Sequence, residues 1–441
     1  EEYQEIEYAV TKTNATCGEA NADITIDAIN GSGSYEYSLD AGGTWQNSNT
    51  FTGLGVGPYL VTIRNQDGTC QTSTINCIVG AGTTILQPGD ALVTCKPVNG
   101  DPATLIVERT QQLNTFYSSG FQGREVSDLI EPKAHIWTAA QLGGQIFSVA
   151  TDDDLNIYAA TSSLYSFINN ANAIVTKIDG QTGAISQLAT LPGVSGLAGI
   201  HYQEGCDQIF TINLDDGVIY RLDGASGAVL STFDPLGADD GIDGKAPLGE
   251  RLLALDYNYA EDKLYYSVWS NDEIDNGTVN SIRSVSIDPT TCDFLPASDA
   301  LEFNMPFLAD LCGNPNHQYS MPVADLEFSP DGQTMLIAEA GFDSRNSSNQ
   351  AHQARVLEYN GSTGNWNVDS APNGGTTNGC KYAVGLLSEE NNARGGIDFG
   401  NSGFSDGCTI DGGDFAIFTV DGVFGTNCAE NCAYGLQYVS T

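Results

Sequence analysis

Carboxylates dominate whatever chemistry this chain could perform: 56 Asp and Glu stand against 16 Lys and Arg and four His among 441 residues. The densest group is Asp239-Asp240-Gly241-Ile242-Asp243-Gly244, and a second runs from Asp406 through Asp411 to Asp414. Oxygen-rich, glycine-containing loops are the chemistry of calcium sites. Asp239, Asp240 and Asp243 are therefore candidate Ca2+ ligands, with a solvated turn as the alternative. Neither segment fits the EF-hand frame, because its closing Glu is missing, and no other cofactor is implied. Glycoside hydrolysis needs two carboxylates at a set separation, which Asp residues in surface turns do not specify. His135, His201, His317 and His352 fall in no metal-ligand spacing. His201 alternates with Ile200 and Tyr202, which places it on a strand face as a structural residue. No nucleophile elbow, H-E-x-x-H, P-loop or dinucleotide fingerprint occurs. The expectation is a non-enzymatic protein.

The net charge of −40 excludes nucleic acid and anionic membranes as partners, since both require a basic footprint. Eleven cysteines occur without a C-x-x-C pair, so disulfides in an oxidising compartment are expected rather than zinc. No apolar run is long enough to span a bilayer. The sequence starts at Glu1 as though a leader had been removed, and the expected location is extracellular, at a bacterial cell surface. N-x-S/T sequons stand at Asn14, Asn30, Asn276, Asn346 and Asn360.

The elements that position these residues are strands. Turn residues recur every eight to twelve positions, and long helical periodicity is absent. Asp179-Gly180-Gln-Thr-Gly183, Asp223-Gly224-Ala-Ser-Gly227, Asp288-Pro289-Thr-Thr-Cys292 and Asn360-Gly361-Ser-Thr-Gly364 are four copies of one turn. Each places an apolar residue (Ile185, Val229, Phe294, Trp366) six positions after its Asp or Asn. Upstream, Ile200/Tyr202, Leu255/Tyr257 and Leu326/Phe328 alternate into turns at Asp207, Asp262 and Asp331. Four strands per unit at this period are the signature of a β-propeller. It is expected over 133–441 with six blades, five or seven remaining open, and with the C-terminal strand closing the ring. Residues 104–132 read as a polar linker, with one short helix near Ser127–Ile130.

The N-terminal part reads differently. Residues 1–10 form a free strand whose Tyr8 and Val10 alternate with Glu7 and Ala9. Residues 11–103 form a small β-sandwich with extension, its core filled by Trp45, Phe51 and Leu54. Thr16-Cys17-Gly18, Tyr35-Glu-Tyr37-Ser-Leu39-Asp40-Ala-Gly-Gly43-Thr-Trp45, Phe51-Thr-Gly53-Leu54, Gly57-Pro-Tyr59 and Asp67-Gly-Thr-Cys70 resemble the SprB-type repeat of Bacteroidetes surface adhesins. The resemblance covers about 11–72. It implies an extracellular immunoglobulin-like module with a Cys17–Cys70 bridge. In the extension, Cys77 and Cys95 are a further candidate pair.

The whole is thus expected to be all-β, an Ig-like sandwich followed by a propeller. An Ig-like module preceded by a free strand resembles the subunits of fibres built by donor-strand exchange. There Tyr3, Ile6, Tyr8 and Val10 would enter the acceptor groove of another copy, giving a head-to-tail homopolymer. The same strand could instead belong to its own sandwich. The alternatives are a monomeric adhesin or a propeller that binds glycans or surface proteins, and, third, a propeller-based polysaccharide lyase or glycosidase.

Overall fold

The computed structural model describes residues 8–13, 20, 22–28, 34–55, 57–66, 75–79, 85–86, 90–94, 103–108, 117–118, 125–128, 133–164, 171–180, 182–237, 245–270, 279–307, 320–341, 354–369, 382, 393–400, 415–421 and 434–440. The chain divides into two compact units, Glu1–Pro88 with Ser402–Asp411, and Gly89–Asn401 with Gly412–Thr441. Both are built from strands.

In the first unit the strands are β1 (Tyr8–Lys12), β2 (Ala22–Ala28), β3 (Tyr35–Ser38), β4 (Thr50–Leu54), β5 (Gly57–Asn65) and β6 (Ile75–Val79). They pair antiparallel in two sheets, β1-β2-β4 and β3-β5-β6. The period-2 alternation of β2 sends Ala22, Ile24 and Ile26 inward, where they meet Tyr37, Val61 and Ile63 of the other sheet. This is an Ig-like sandwich. Phe51 and Leu54 pack against that core, as expected. Trp45 does not belong to it; it lies half-buried beneath the Arg64 guanidinium, 4.0 Å from its ring centre, and Arg64 pairs with Glu36 at 2.6 Å. The turn after β3 is fixed by Asp40, whose carboxylate accepts from Ser38 Oγ and from both the N–H and hydroxyl of Thr44, each at 2.7 Å. Those hydrogen bonds pull its pKa down to about 2.

The second unit contains β7 (Ala91–Thr94), β8 (Ala103–Glu108), β9 (Tyr117–Ser118), β10 (Glu125–Asp128) and β11 (Lys133–Thr138), then helix α1 (Ala139–Leu142). Four regular blades follow. Blade one is β12 (Ile146–Thr151), β13 (Ile157–Thr161), β14 (Ala173–Ile178) and β15 (Ile185–Leu191). Blade two is β16 (Leu197–Gln203), β17 (Gln208–Asn213), β18 (Ile219–Asp223) and β19 (Val229–Phe233). Blade three is β20 (Arg251–Asn258), β21 (Lys263–Trp269), β22 (Ser281–Ile287) and β23 (Phe294–Asn304). Blade four is β24 (Val323–Phe328), β25 (Thr334–Glu339), β26 (Val356–Asn360) and β27 (Asn367–Val368). The chain ends with β28 (Ala393–Gly400), β29 (Phe415–Asp421) and β30 (Tyr434–Ser440).

Among the described residues this unit holds six sheets: the four blades, β11-β8-β7, and β28-β29-β30-β10-β9. The inner strands β7, β12, β16, β20, β24 and β28 neighbour one another in that order. The last sheet combines C-terminal strands with two from the start of the unit, β30 lying between β29 and β10. That pairing closes the ring, as expected of a six-bladed propeller. Residues 125–128, near the expected helix, are instead a strand, because β30 supplies a ladder that the local pattern cannot anticipate. Likewise β7 pairs with β8, which pairs with β11, so the sandwich boundary expected at 103 falls inside a sheet of the second unit. Strands joined by long polar connectors leave no short-range signal of their pairing.

The blades pack through apolar faces. One cluster joins blades one and two around Tyr158, Ile200 and Ile209; another joins blades two and three around Phe210, Phe233 and Phe294. Gly199 permits the inner strands to approach: a Cβ there would meet Leu253 O and Leu255 N at 2.8 Å.

The repeated turn behaves as its composition requires. Asp179, Asp223 and Asp288 accept from the backbone N–H three residues on, at 2.7, 2.7 and 3.0 Å. The fifth residue is left-handed: Gly183, Gly227 and Gly364 have φ near +70°, and Cys292, in the same place, has φ 53°. Cys292 is bonded to Cys206 of blade two across a sequence separation of 86.

Candidate functional site

The inner strands of the propeller carry a belt of polar side chains. In β16, β20, β24 and β28 the residue before an aromatic is His201, Asp256, Glu327 and Asp398 respectively. Asp325 stands two residues before Glu327. Several of these groups link blades that no backbone ladder connects. Asp256 Oδ1 lies 2.7 Å from His201 Nδ1 in β16, and its Oδ2 accepts the Phe328 N–H of β24 at 3.1 Å. Asp325 Oδ2 accepts the Ile397 N–H of β28 at 3.1 Å. His201 Nε2 lies 3.2 Å from the Tyr259 hydroxyl. Both imidazole nitrogens are therefore engaged, which agrees with a structural histidine.

Glu327 differs from its neighbours. Among the described residues no hydrogen bond reaches its carboxylate. Burial raises its pKa well above the usual carboxylate range, and the charges of Asp256, Asp398 and Asp325 add to the effect. Asp325 is raised for the same reasons, burial first. Glu204, in the short turn after β16, is pushed up to about 7 by burial and by Asp153. Both Asp325 and Glu327 are enclosed by protein yet keep some accessible surface.

Carboxylates elsewhere are satisfied in an unusual way. With so few cations in the sequence, tyrosine hydroxyls donate instead: Tyr158 to Asp152 at 2.9 Å, Tyr202 to Asp207 at 2.6 Å, Tyr220 to Asp216 at 2.7 Å, Tyr257 to Asp262 at 3.2 Å and Tyr265 to Glu261 at 2.7 Å. Burial first, and then these neighbouring carboxylates, raise the tyrosine pKa values.

Of the residues singled out from the sequence, Tyr8 and Val10 lie on β1, opposite Ala28 and Ile26 of β2 in the same chain. Among the described residues β1 is the edge of its sheet and is bonded to β2 alone. Tyr3, Ile6, Cys17, Cys70, Cys95, Asp239, Asp240 and Asp243 lie outside the described residues, as does the side chain of Cys77. Among the described residues no group of three His, Cys, Asp or Glu is arranged to hold a metal ion. Asp256, Asp325, Glu327 and Asp398 were not singled out from the sequence. For three of them a signal was present: in β20, β24 and β28, as with His201 in β16, the residue directly precedes an aromatic.

No protein-family model matches the chain, and no curated protein does. Solved structures give distant likenesses. The Myceliophteria thermophila Cps50 (Swd1) β-propeller domain aligns with 8% identity and a TM-score of 0.39, covering 100% of this chain and 98% of that one. An auxiliary nutrient binding protein from Bacteroides thetaiotaomicron aligns with 10% identity and a TM-score of 0.37, covering 94% and 81%. Kuenenia stuttgartiensis hydrazine synthase aligns with 11% identity and a TM-score of 0.36; the match covers 68% of this chain and 64% of that one, less than two thirds of its length. The propeller assignment rests on the strand order given above.

Proposed function

We propose that this chain is a non-enzymatic extracellular protein of a bacterial surface, assembled head to tail by exchange of β1 between copies. An SprB-type identity for residues 11–72 is part of the same reading. The observation that carries it is the place of β1: an edge strand that, among the described residues, is bonded only to β2, whose Ile24 and Ile26 are wholly buried. Exchange between copies would replace each β1–β2 hydrogen bond by an identical one, so the ladder energy is conserved and only association entropy opposes it. A strand donated to a neighbour does not close on itself and gives a filament. The Cys206–Cys292 bridge supports an oxidising location.

The register supplies the test. Thr11 stands opposite Thr25. Cysteines at both positions, in protein that forms filaments by electron microscopy, should oxidise to a covalent ladder on a non-reducing gel. Cross-linked monomers alone would show that β1 stays in its own sandwich, and the fibre reading would be abandoned. A second reading, a propeller that binds a cationic group, is favoured by Glu327, whose buried carboxylate feels the charges of Asp256, Asp398 and Asp325 and accepts no hydrogen bond among the described residues. It predicts that Glu327→Gln abolishes such binding and leaves assembly intact.

A further inference from the structure

Arg251 opens β20, five residues before Asp256 and so roughly 17 Å along the strand from the polar belt. Four other arginines have carboxylate partners: Arg64 with Glu36, Arg221 with Asp293, Arg283 with Asp299 and Arg355 with Glu339. Among the described residues no carboxylate pairs with Arg251, in a chain where acids outnumber bases 56 to 16. Its Nε donates to Ala246 O at 2.9 Å, and its guanidinium lies 5.0 Å from the centre of the Trp269 ring. Arg251 is half-buried and Trp269 almost wholly so. Ala246 is itself fixed by donating to Leu214 O at 2.8 Å. The guanidinium is thus held in place by a carbonyl and a ring, and its terminal N–H groups make no hydrogen bond among the described residues. Burial lowers its pKa to about 10, a cost that no carboxylate among the described residues offsets.

We infer that Arg251 is the anion-receiving group of a ligand site at the start of β20, and that it takes the carboxylate of a small organic acid. A guanidinium stacked on an aromatic ring presents its fork for bidentate recognition of a carboxylate. The net charge of −40 disfavours polyanions, so the ligand carries one carboxylate on an otherwise uncharged body, as an acidic sugar does.

The test titrates the full chain with glucuronate, acetate and glucose while following tryptophan fluorescence, because the ligand would bind beside Trp269. Glucuronate should give a saturable change and glucose none; a response to acetate as well assigns recognition to the carboxylate alone. Arg251→Lys keeps the charge but loses the fork and the stacking, and should weaken binding at least tenfold. Arg251→Met, folded by circular dichroism, should abolish it. Absence of a saturable response in the native protein at millimolar glucuronate and acetate overturns the inference, as does unchanged affinity in Arg251→Lys.

Discussion

Cys292 occupies a turn position that is glycine in three sister blades, and it does so at φ 53°. Two energies are superimposed there. The bridge to Cys206 constrains an 86-residue separation, for which the chain-entropy model gives about 4.6 kcal/mol. The left-handed backbone costs a non-glycine residue roughly 1–2 kcal/mol. Glycine would remove that strain while adding about 0.4–1 kcal/mol of unfolded-state entropy. Cys206→Ala should therefore lose most of the bridge energy and keep the strain. Adding Cys292→Gly to Cys206→Ala should recover about 1 kcal/mol. For a unit of some three hundred residues this is about 1.5 °C in Tm, against about 7 °C lost with the bridge. The turn should stay docked in both variants. Arg221 donates to Thr291 O at 2.7 Å, Ser231 donates to Asp293 at 2.7 Å, and Phe294 packs against Phe210 and Phe233. The assay is urea unfolding under non-reducing conditions, with the single and double variants side by side. If the added glycine leaves the midpoint unchanged or lowers it, the strain assigned to Cys292 does not exist.

Three further outcomes follow from the electrostatics. Glu327 has a folded pKa above its unfolded value, so its contribution is complete below about pH 4 and is lost as pH rises through the folded pKa. Glu327→Gln should accordingly raise Tm at pH 8 and change it little near pH 4; equal shifts at both would refute the sign. The tyrosines paired with carboxylates also have raised pKa values, so their contribution is present up to about pH 10 and lost as pH rises above it. Tyrosinate absorbance should therefore appear late and together with unfolding; ordinary titration of these groups in folded protein would contradict this. Arg355 and Glu339 are both fully buried and paired. Either one changed alone to an apolar residue should cost about 3–5 kcal/mol, whereas Glu339→Leu with Arg355→Met should cost far less, a non-additivity that a double-mutant cycle measures.

Much of the fold was legible in the sequence because its signals are local. The Asp and Gly of each repeated turn are dictated by hydrogen bonds within five residues and by one left-handed backbone position. Period-2 alternation marked β2, β16, β20 and β24. Burial at equivalent repeat positions was not legible. Phe294 is 6% exposed, packed between Phe210 and Phe233, yet Val229, at the same place in the neighbouring blade, is 50% exposed. Each faces whatever the adjacent blade presents, and that is a property of the assembled ring. The same holds for the polar belt: His201, Asp256 and the Phe328 N–H come from three blades and meet only once the inner strands are parallel neighbours. It holds again for β10 and β30, about three hundred residues apart, whose pairing closes the propeller through a contact with no local trace. The sequence by itself determined the strands and turns of the repeated units, whose signals are local. The tertiary structure decided that 125–128 joins β30 as a strand, which faces are covered, which carboxylates meet, and that Arg251 meets none among the described residues.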